Sequence, residues 1–167
     1  VMPRVVSHNN RLVTHAAAVQ FDDGTAAVLL GPTGAGKSTL AAALHVRGAS
    51  LLSDDCLLLE SAGSSVTGTA SYRGLRLWPD SAAAMFPGTA GLSPMAHYSS
   101  KQRVDLRSPG TAPVELSALI LLSPPPGNMP AGSVNLSRAS GSEALTILIA
   151  NQFTLDITDR ERIRRSF

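Results

Sequence analysis

Apolar and polar positions divide the first half of the chain into short elements. "RLVTHAAAVQ" (11–20) and "AAVLL" with its flanks (25–30) are apolar runs bounded by polar residues, and both read as strands. Between them, "FDDGT" contains Asp23-Gly24, a two-residue hairpin signal, because both residues tolerate positive φ. With that pair as the turn, Val19 faces Val28 and His15 falls opposite Pro32. A helix is predicted from near Gly36 to about Arg47, with Leu40, Ala43, Leu44 and Arg47 on one face. Gly48 stops it, and Arg47 suits the negative end of the helix dipole.

Two extended pieces follow, "ASLLSDD" and "CLLLE", then a turn-rich span from Ser61 to Ser71. In "YRGLRLWPD", Arg73 and Arg76 alternate with apolar residues as on a half-buried strand, and Trp78 reads as core. Asp80 is placed to cap a short helix over "SAAAMF". Residues 87–100 are rich in Gly, Pro and Ser and read as a long mobile loop. "KQRVDL" and "VELSALILLS" read as later strands, and "PPPG" (124–127) as a stiff connector. "GSEALTILIANQ" reads as a helix capped by Ser142, and Thr158 with Glu161 forms a capping box for a last helix, "DRERIRRSF". Strands and helices interleave around a strand–loop–helix unit, which argues an α/β domain.

Composition narrows the class. With 167 residues, 44% apolar and 16% charged, the chain suits a single globular domain. No apolar run approaches the roughly 20 residues of a membrane helix, so no membrane partner is expected. One cysteine, Cys56, excludes an internal disulfide framework and fits a reducing, cytoplasmic setting. The formal charge is +2, without any basic block of five or more, and aromatics are 4%, which speaks against a nucleic-acid surface. The chain opens on valine and stops inside an expected helix, which allows a fragment of a longer protein.

The strongest chemical signal is "GPTGAGKST", Gly31 to Thr39. Gly31, Gly36, Lys37 and Ser38 meet the pattern G-x-x-x-x-G-K-[ST], with an apolar strand before and a helix after. Glycines let successive backbone N–H groups turn inward as a concave donor cluster for phosphate oxygens, and the helix start adds its positive end. Gly31, Pro32, Thr33, Gly34, Ala35, Gly36, Lys37, Ser38 and Thr39 are therefore the expected nucleotide-binding loop. Lys37 reaches the β- and γ-phosphates, and the Ser38 hydroxyl is placed on Mg²⁺.

Common nucleotide hydrolases of this kind place a Mg²⁺-ordering acid at the end of a second apolar strand. Here the best such strand, "LSALILL" (116–122), runs into "SPPP" with no acid. The acids are Asp54 and Asp55, directly after the strand that follows the phosphate helix. Neighbours on an extended segment point to opposite faces, so the two carboxylates are expected to do different jobs. One is placed to accept the proton of an attacking hydroxyl and the other to hold metal or shape the strand end; which does which is left open by spacing. His15 gains its place from the hairpin register. Either Arg73 or Arg76 is placed to touch phosphate. Lys101 and Arg103 are candidates to close over the nucleotide or grip a substrate. Cys56 has no assigned role, and the histidines at 8, 45 and 97 show no zinc-like spacing.

The stretch "THAAAVQFDDGTAAVLLGPTGAGKSTLAAALHVRGASLLSDD" resembles the catalytic domain of the HPr kinase/phosphorylase family. "YRGLRLWPD" looks like the family's downstream I-R-G-x-G segment. With "GSEALTILIANQ" it is closer to the shorter HPr-kinase-like proteins, some of which phosphorylate a serine of lasso-peptide precursors. The resemblance implies an α/β P-loop domain with a mixed sheet, similar to the HPr kinase and phosphoenolpyruvate carboxykinase nucleotide-binding fold. It implies an ATP- and Mg²⁺-dependent serine kinase acting on a protein or peptide, and leaves a homo-oligomer open. Lys37 and Ser38 match the phosphate and metal positions, and Asp54-Asp55 match the acids, one of them the general base. His15 matches the active-site histidine and Arg73 the arginine of the downstream motif. Two positions depart. Ser71 stands where the HPr enzymes carry a glutamate, and Thr39 where they usually carry another; both weaken the case for HPr as substrate and for phosphorolysis. A small-molecule kinase and a non-catalytic nucleotide sensor are the competing functions.

Overall fold

The computed structural model describes residues 11–70, 74–88, 94–96, 99–106, 112–123 and 132–153. Arg73, Ser71, the "PPPG" connector and the expected last helix with Thr158 and Glu161 lie outside these residues.

The protein is a mixed α/β structure built on one central sheet. Strand β1 is Leu12–Thr14, β2 is Ala17–Gln20 and β3 is Ala26–Leu30. Helix α1 follows at Lys37–Val46, then β4 at Ser50–Ser53 and β5 at Leu57–Ala62. Strand β6 is Ser65–Ala70, β7 is Leu75–Leu77, and helix α2 is Pro79–Met85. The rest comprises β8 (Pro94–Ala96), β9 (Ser99–Val104), β10 (Val114–Glu115), β11 (Ala118–Leu121) and helix α3 (Gly141–Ala150). The central sheet has the order β11-β3-β2-β4. A second sheet, β1-β5-β6-β10, covers one of its faces, and a smaller sheet, β7-β9-β8, stands with α1 on the other.

Strand β3 is buried along its whole length, because it is covered on both faces. Its side chains alternate. Ala27 and Leu29 join Ala41 and Ala42 of α1 with Leu75 and Leu77 of β7, whereas Ala26, Val28 and Leu30 join Leu57 and Leu59 of β5. The small residues of α1 allow this approach. Its inward stripe is Lys37, Ala41 and Ala42 with Leu40 and Leu44 beside them, whereas Arg47, expected on that face, is exposed.

Several sequence expectations shift by a residue or a boundary. The run 11–20 is two strands broken at His15-Ala16, which pair in different sheets. The hairpin after it has a three-residue loop: Phe21 and Thr25 face each other across Asp22, Asp23 and Gly24. Asp23 Oδ1 accepts from the Thr25 amide and hydroxyl, and Gly24 takes the left-handed φ of 85° that ends such a turn. Val28 therefore faces Ala18 rather than Val19, a one-residue slip that exchanges the faces of the strand. The expected turn-rich span is a β5–β6 hairpin turning at Gly63. Within 87–100, β8 and the start of β9 pair with one another instead of forming an open loop. Pro79 opens α2 after Trp78, so Asp80 sits in its first turn. Ser140, not Ser142, caps α3, in a reciprocal box with Glu143. None of the helices among the described residues is long and apolar enough to cross a membrane.

Candidate functional site

Strand direction assembles the site. Strand β2 runs antiparallel to both β3 and β4, so the ends of β3 and β4 and the beginning of β2 share one edge of the sheet. His15 precedes β2, the glycine loop follows Leu30 and Asp54-Asp55 follow Ser53. Three segments far apart in sequence therefore meet at the carboxyl end of the sheet, where open α/β sheets bind ligands. The cleft there is about 410 Å³ and is lined by His15, Thr33, Gly34, Gly36, Lys37, Ser38, Thr39, Asp54, Asp55, Arg76, Leu77, Trp78 and Lys101.

The loop takes a conformation suited to glycine, with φ of 141° at Gly31, 87° at Gly34 and 91° at Gly36. At Gly31 the reason is also steric. A Cβ there would lie 2.6 Å from the Leu122 carbonyl oxygen, where the chain leaves β11 alongside β3. Gly36 is the N-cap of α1, which has no side-chain cap and no acid in its first turn. The amides of Lys37, Ser38 and Thr39 thus start a helix at the cleft, the arrangement that accepts phosphate oxygens. Lys37 is 7% exposed, and its ammonium donates to the carbonyls of Gly31 at 2.7 Å and Pro32 at 3.1 Å. Burial draws its pKa down, opposed by the charges of Asp54 and Asp55.

The two acids point to different partners. Asp54 is 2% exposed. Its Oδ1 accepts from the Ser38 hydroxyl at 2.8 Å and its Oδ2 from the Arg76 amide at 2.9 Å, which ties β4, α1 and β7 together. Burial raises its pKa above the ordinary aspartate value, against the two hydrogen bonds. Asp55 has a left-handed φ of 90°, an uncommon conformation for a residue with a Cβ. Its carboxylate is held by the Arg76 guanidinium and by His15, whose Nδ1 lies 3.2 Å from Oδ1 and 2.9 Å from the Asp55 carbonyl oxygen. A carbonyl only accepts, so Nδ1 carries the proton in this pairing. The His15 hydrogen bond, then the charge of Arg76, holds the Asp55 pKa below the ordinary value, against burial.

These donors fit Mg²⁺ and a polyphosphate. A hydroxyl and a carboxylate in contact, Ser38 and Asp54, are the hard oxygen ligands Mg²⁺ takes when phosphates and water complete its shell. No group of three or more His, Cys, Asp or Glu side chains among the described residues forms a metal site by itself. The uncapped helix start and Lys37 supply the anion side.

Every expected site residue except Arg73 lies among the described residues, and His15, Lys37, Ser38, Asp54 and Asp55 converge on this cleft. Trp78 corrects the sequence reading: it follows β7 directly, 49% exposed, and lines the cleft instead of filling the core. Arg103 pairs with Asp105 at 2.7 Å and is not among the residues lining the cleft, whereas Lys101 is. Asn151 was not foreseen. Its Oδ1 accepts from the Gly31 amide, and its carbonyl accepts from the Thr14 hydroxyl and the His15 amide, so the end of α3 braces both the loop and the histidine. Those partners are more than a hundred residues away in sequence, and no local pattern marks them.

No protein-family model and no curated protein matches the chain. Among solved structures, the Hpr(Ser) kinase/phosphatase from Coxiella burnetii is similar over 74% of this chain and 72% of its own, with 20% identity and a TM-score of 0.43. At that level of likeness the residues of the cleft, not the neighbour, carry a functional reading.

Proposed function

We propose that this chain is an ATP-dependent serine kinase of the P-loop type, which transfers the γ-phosphate of Mg-ATP to a serine hydroxyl of a protein or peptide. The observation that carries it is the pairing of two unlike carboxylates at one phosphate cradle: Asp54 on the Ser38 hydroxyl, and Asp55 on the cleft wall between His15 and Arg76.

Bound Mg-ATP supplies the phosphoryl group and the ADP leaving group. The helix start and Lys37 hold the phosphates, and Ser38 with Asp54 holds the metal. Asp55 takes the proton of the serine O–H as that oxygen bonds to phosphorus and the bond to the ADP oxygen breaks. Its lowered basicity suits a loose transition state, in which the proton leaves late and positioning does most of the work. His15 and Arg76 keep the Asp55 carboxylate charged and aimed. Buried Cys56 is compatible with a reducing, cytoplasmic setting.

The test is transfer of label from γ-labelled Mg-ATP to HPr, to a serine-ended peptide and to a free hydroxyl metabolite, with the wild type and Asp55→Asn. Label on the protein or peptide, reduced more than about a hundredfold in the variant, is the expected result. Label on the metabolite alone would make this a small-molecule kinase. Nucleotide binding without transfer to any acceptor would leave a sensor.

A further inference from the structure

We infer that Lys101 is a second phosphate-binding cation of the cleft, held on the face of Trp78 and delivered from there to the terminal phosphate of a bound nucleoside triphosphate. The inference rests on the nucleotide reading above and adds to it a residue outside the glycine-loop motif.

Three observations converge. Lys101 Nζ lies 5.4 Å from the centroid of the Trp78 ring, within the range of a cation–π contact. Both residues line the cleft that contains Lys37 and Asp55. Trp78 is half-exposed there although it follows a strand whose leucines are buried, so the indole is presented to the cleft instead of being spent on packing.

Charge balance gives the reason. The cleft carries Lys37, Arg76 and Lys101 against Asp54 and Asp55, and Asp55 is already paired with Arg76. Lys37 and Lys101 line the same cleft, and like charges at one site repel until an anion joins them. A triphosphate held at the helix start would supply that anion. A lysine is suited to the move, being a compact charge on a flexible four-carbon stem. A cation–π contact that is open to solvent is weak, so a charged phosphate oxygen outcompetes the ring. The contact on the terminal phosphate predicts discrimination of ATP from ADP.

The protein has one tryptophan, so its emission reports the departure of Lys101 from the ring. Mg-ATP, Mg-ADP and AMP are titrated against the full chain, with affinities from calorimetry and the emission of Trp78 recorded alongside. The same series is run on Lys101→Met, Lys101→Arg and Lys37→Met, with thermal melts confirming that each is folded. The expected result is that Lys101→Met weakens ATP about tenfold or more while ADP and AMP change less than about threefold, and that Lys101→Arg retains most of the ATP affinity. Wild-type emission should change more with ATP than with ADP. An unchanged ratio of ATP to ADP affinity in Lys101→Met overturns the inference. If Lys101→Met does not fold, Lys101→Gln takes its place: a weakened preference for ATP over ADP supports the role, and an unchanged ratio overturns it. Failure of the wild type to bind ATP, or ATP binding indifferent to Lys37→Met, instead removes the nucleotide reading on which the inference stands.

Discussion

Asp54→Asn separates the stability of the cleft from its chemistry. The substitution keeps the shape and removes the charge of a side chain that is 2% exposed. Asp54 accepts two hydrogen bonds, from the Ser38 hydroxyl and the Arg76 amide. An asparagine carbonyl can keep the Arg76 amide, and its NH₂ can donate to the Ser38 oxygen, so both contacts survive in neutral form. The loss is the charge-assisted part, about 1–2 kcal/mol. Against it stands the burial that raises the Asp54 pKa, since each unit of that rise removes about 1.4 kcal/mol of folded-state stability at neutral pH, a cost asparagine does not carry. Because the pKa is raised on balance, burial is the larger of the two and the difference is small. We expect a change within about 1.5 kcal/mol at pH 7, or about 3–6 °C in Tm for a domain of this size.

The pH dependence gives the sharper test. With its folded pKa raised, Asp54 binds its proton more tightly in the folded chain than in the unfolded one, whose value is the ordinary 3.8. Its contribution to stability therefore falls as pH rises from there through the folded value, and asparagine has no such slope. Calorimetric melts without nucleotide, from about pH 4 to pH 8, should show the Tm difference moving steadily in favour of the variant. Mg²⁺-dependent ATP affinity should fall at least about tenfold in the same protein. A Tm deficit that grows with pH would refute the claim that burial dominates at Asp54.

Three further outcomes follow from the same geometry. Gly31→Ala forces a methyl into the Leu122 carbonyl at a left-handed φ and should cost about 3 kcal/mol or more, whereas Gly34→Ala meets nothing within 4 Å and should cost about 1–2 kcal/mol; urea unfolding separates them. Ser140→Ala removes the cap of α3 and should cost about 1 kcal/mol, with faster amide exchange in the first turn of that helix. Glu143 in the same box is held below the ordinary carboxylate value by the Ser140 amide, so its support is present above the unfolded value and is lost as pH falls through the folded one. Melts of Glu143→Gln should show a weaker acid destabilisation than the wild type.

The elements that local chemistry specifies were legible. The helix after the loop begins and ends where Gly36 and Gly48 require, both at positive φ, and β3, β4 and β5 fall on their apolar runs. Boundaries failed where two local signals competed. Asp23-Gly24 fits a two-residue turn, yet Asp23 bonds to Thr25 and takes the three-residue form. Ser140 and Ser142 both precede the apolar run of α3, and the box with Glu143 chooses the former. Trp78 was misplaced because an aromatic residue after two buried leucines is a core signal, whereas in the fold its ring lines the cleft beside Lys101.

The sequence alone determined the local shape of the glycine loop. A glycine pattern closed by Lys37 and Ser38 shapes its own backbone, because that effect acts within a few residues; the two aspartates, expected to part as neighbours on an extended strand, instead follow β4 with Asp55 in the left-handed region, and both line the cleft. Where those groups meet was decided by tertiary structure. Strand β2 runs against both β3 and β4, which brings His15, the loop and the acids to one edge. Helix α3 then returns Asn151 to brace two of them, and β7 sets Arg76 across both carboxylates. Strand direction and long-range packing leave no trace in a local pattern, since they are choices among sheets that bury the same apolar residues equally well.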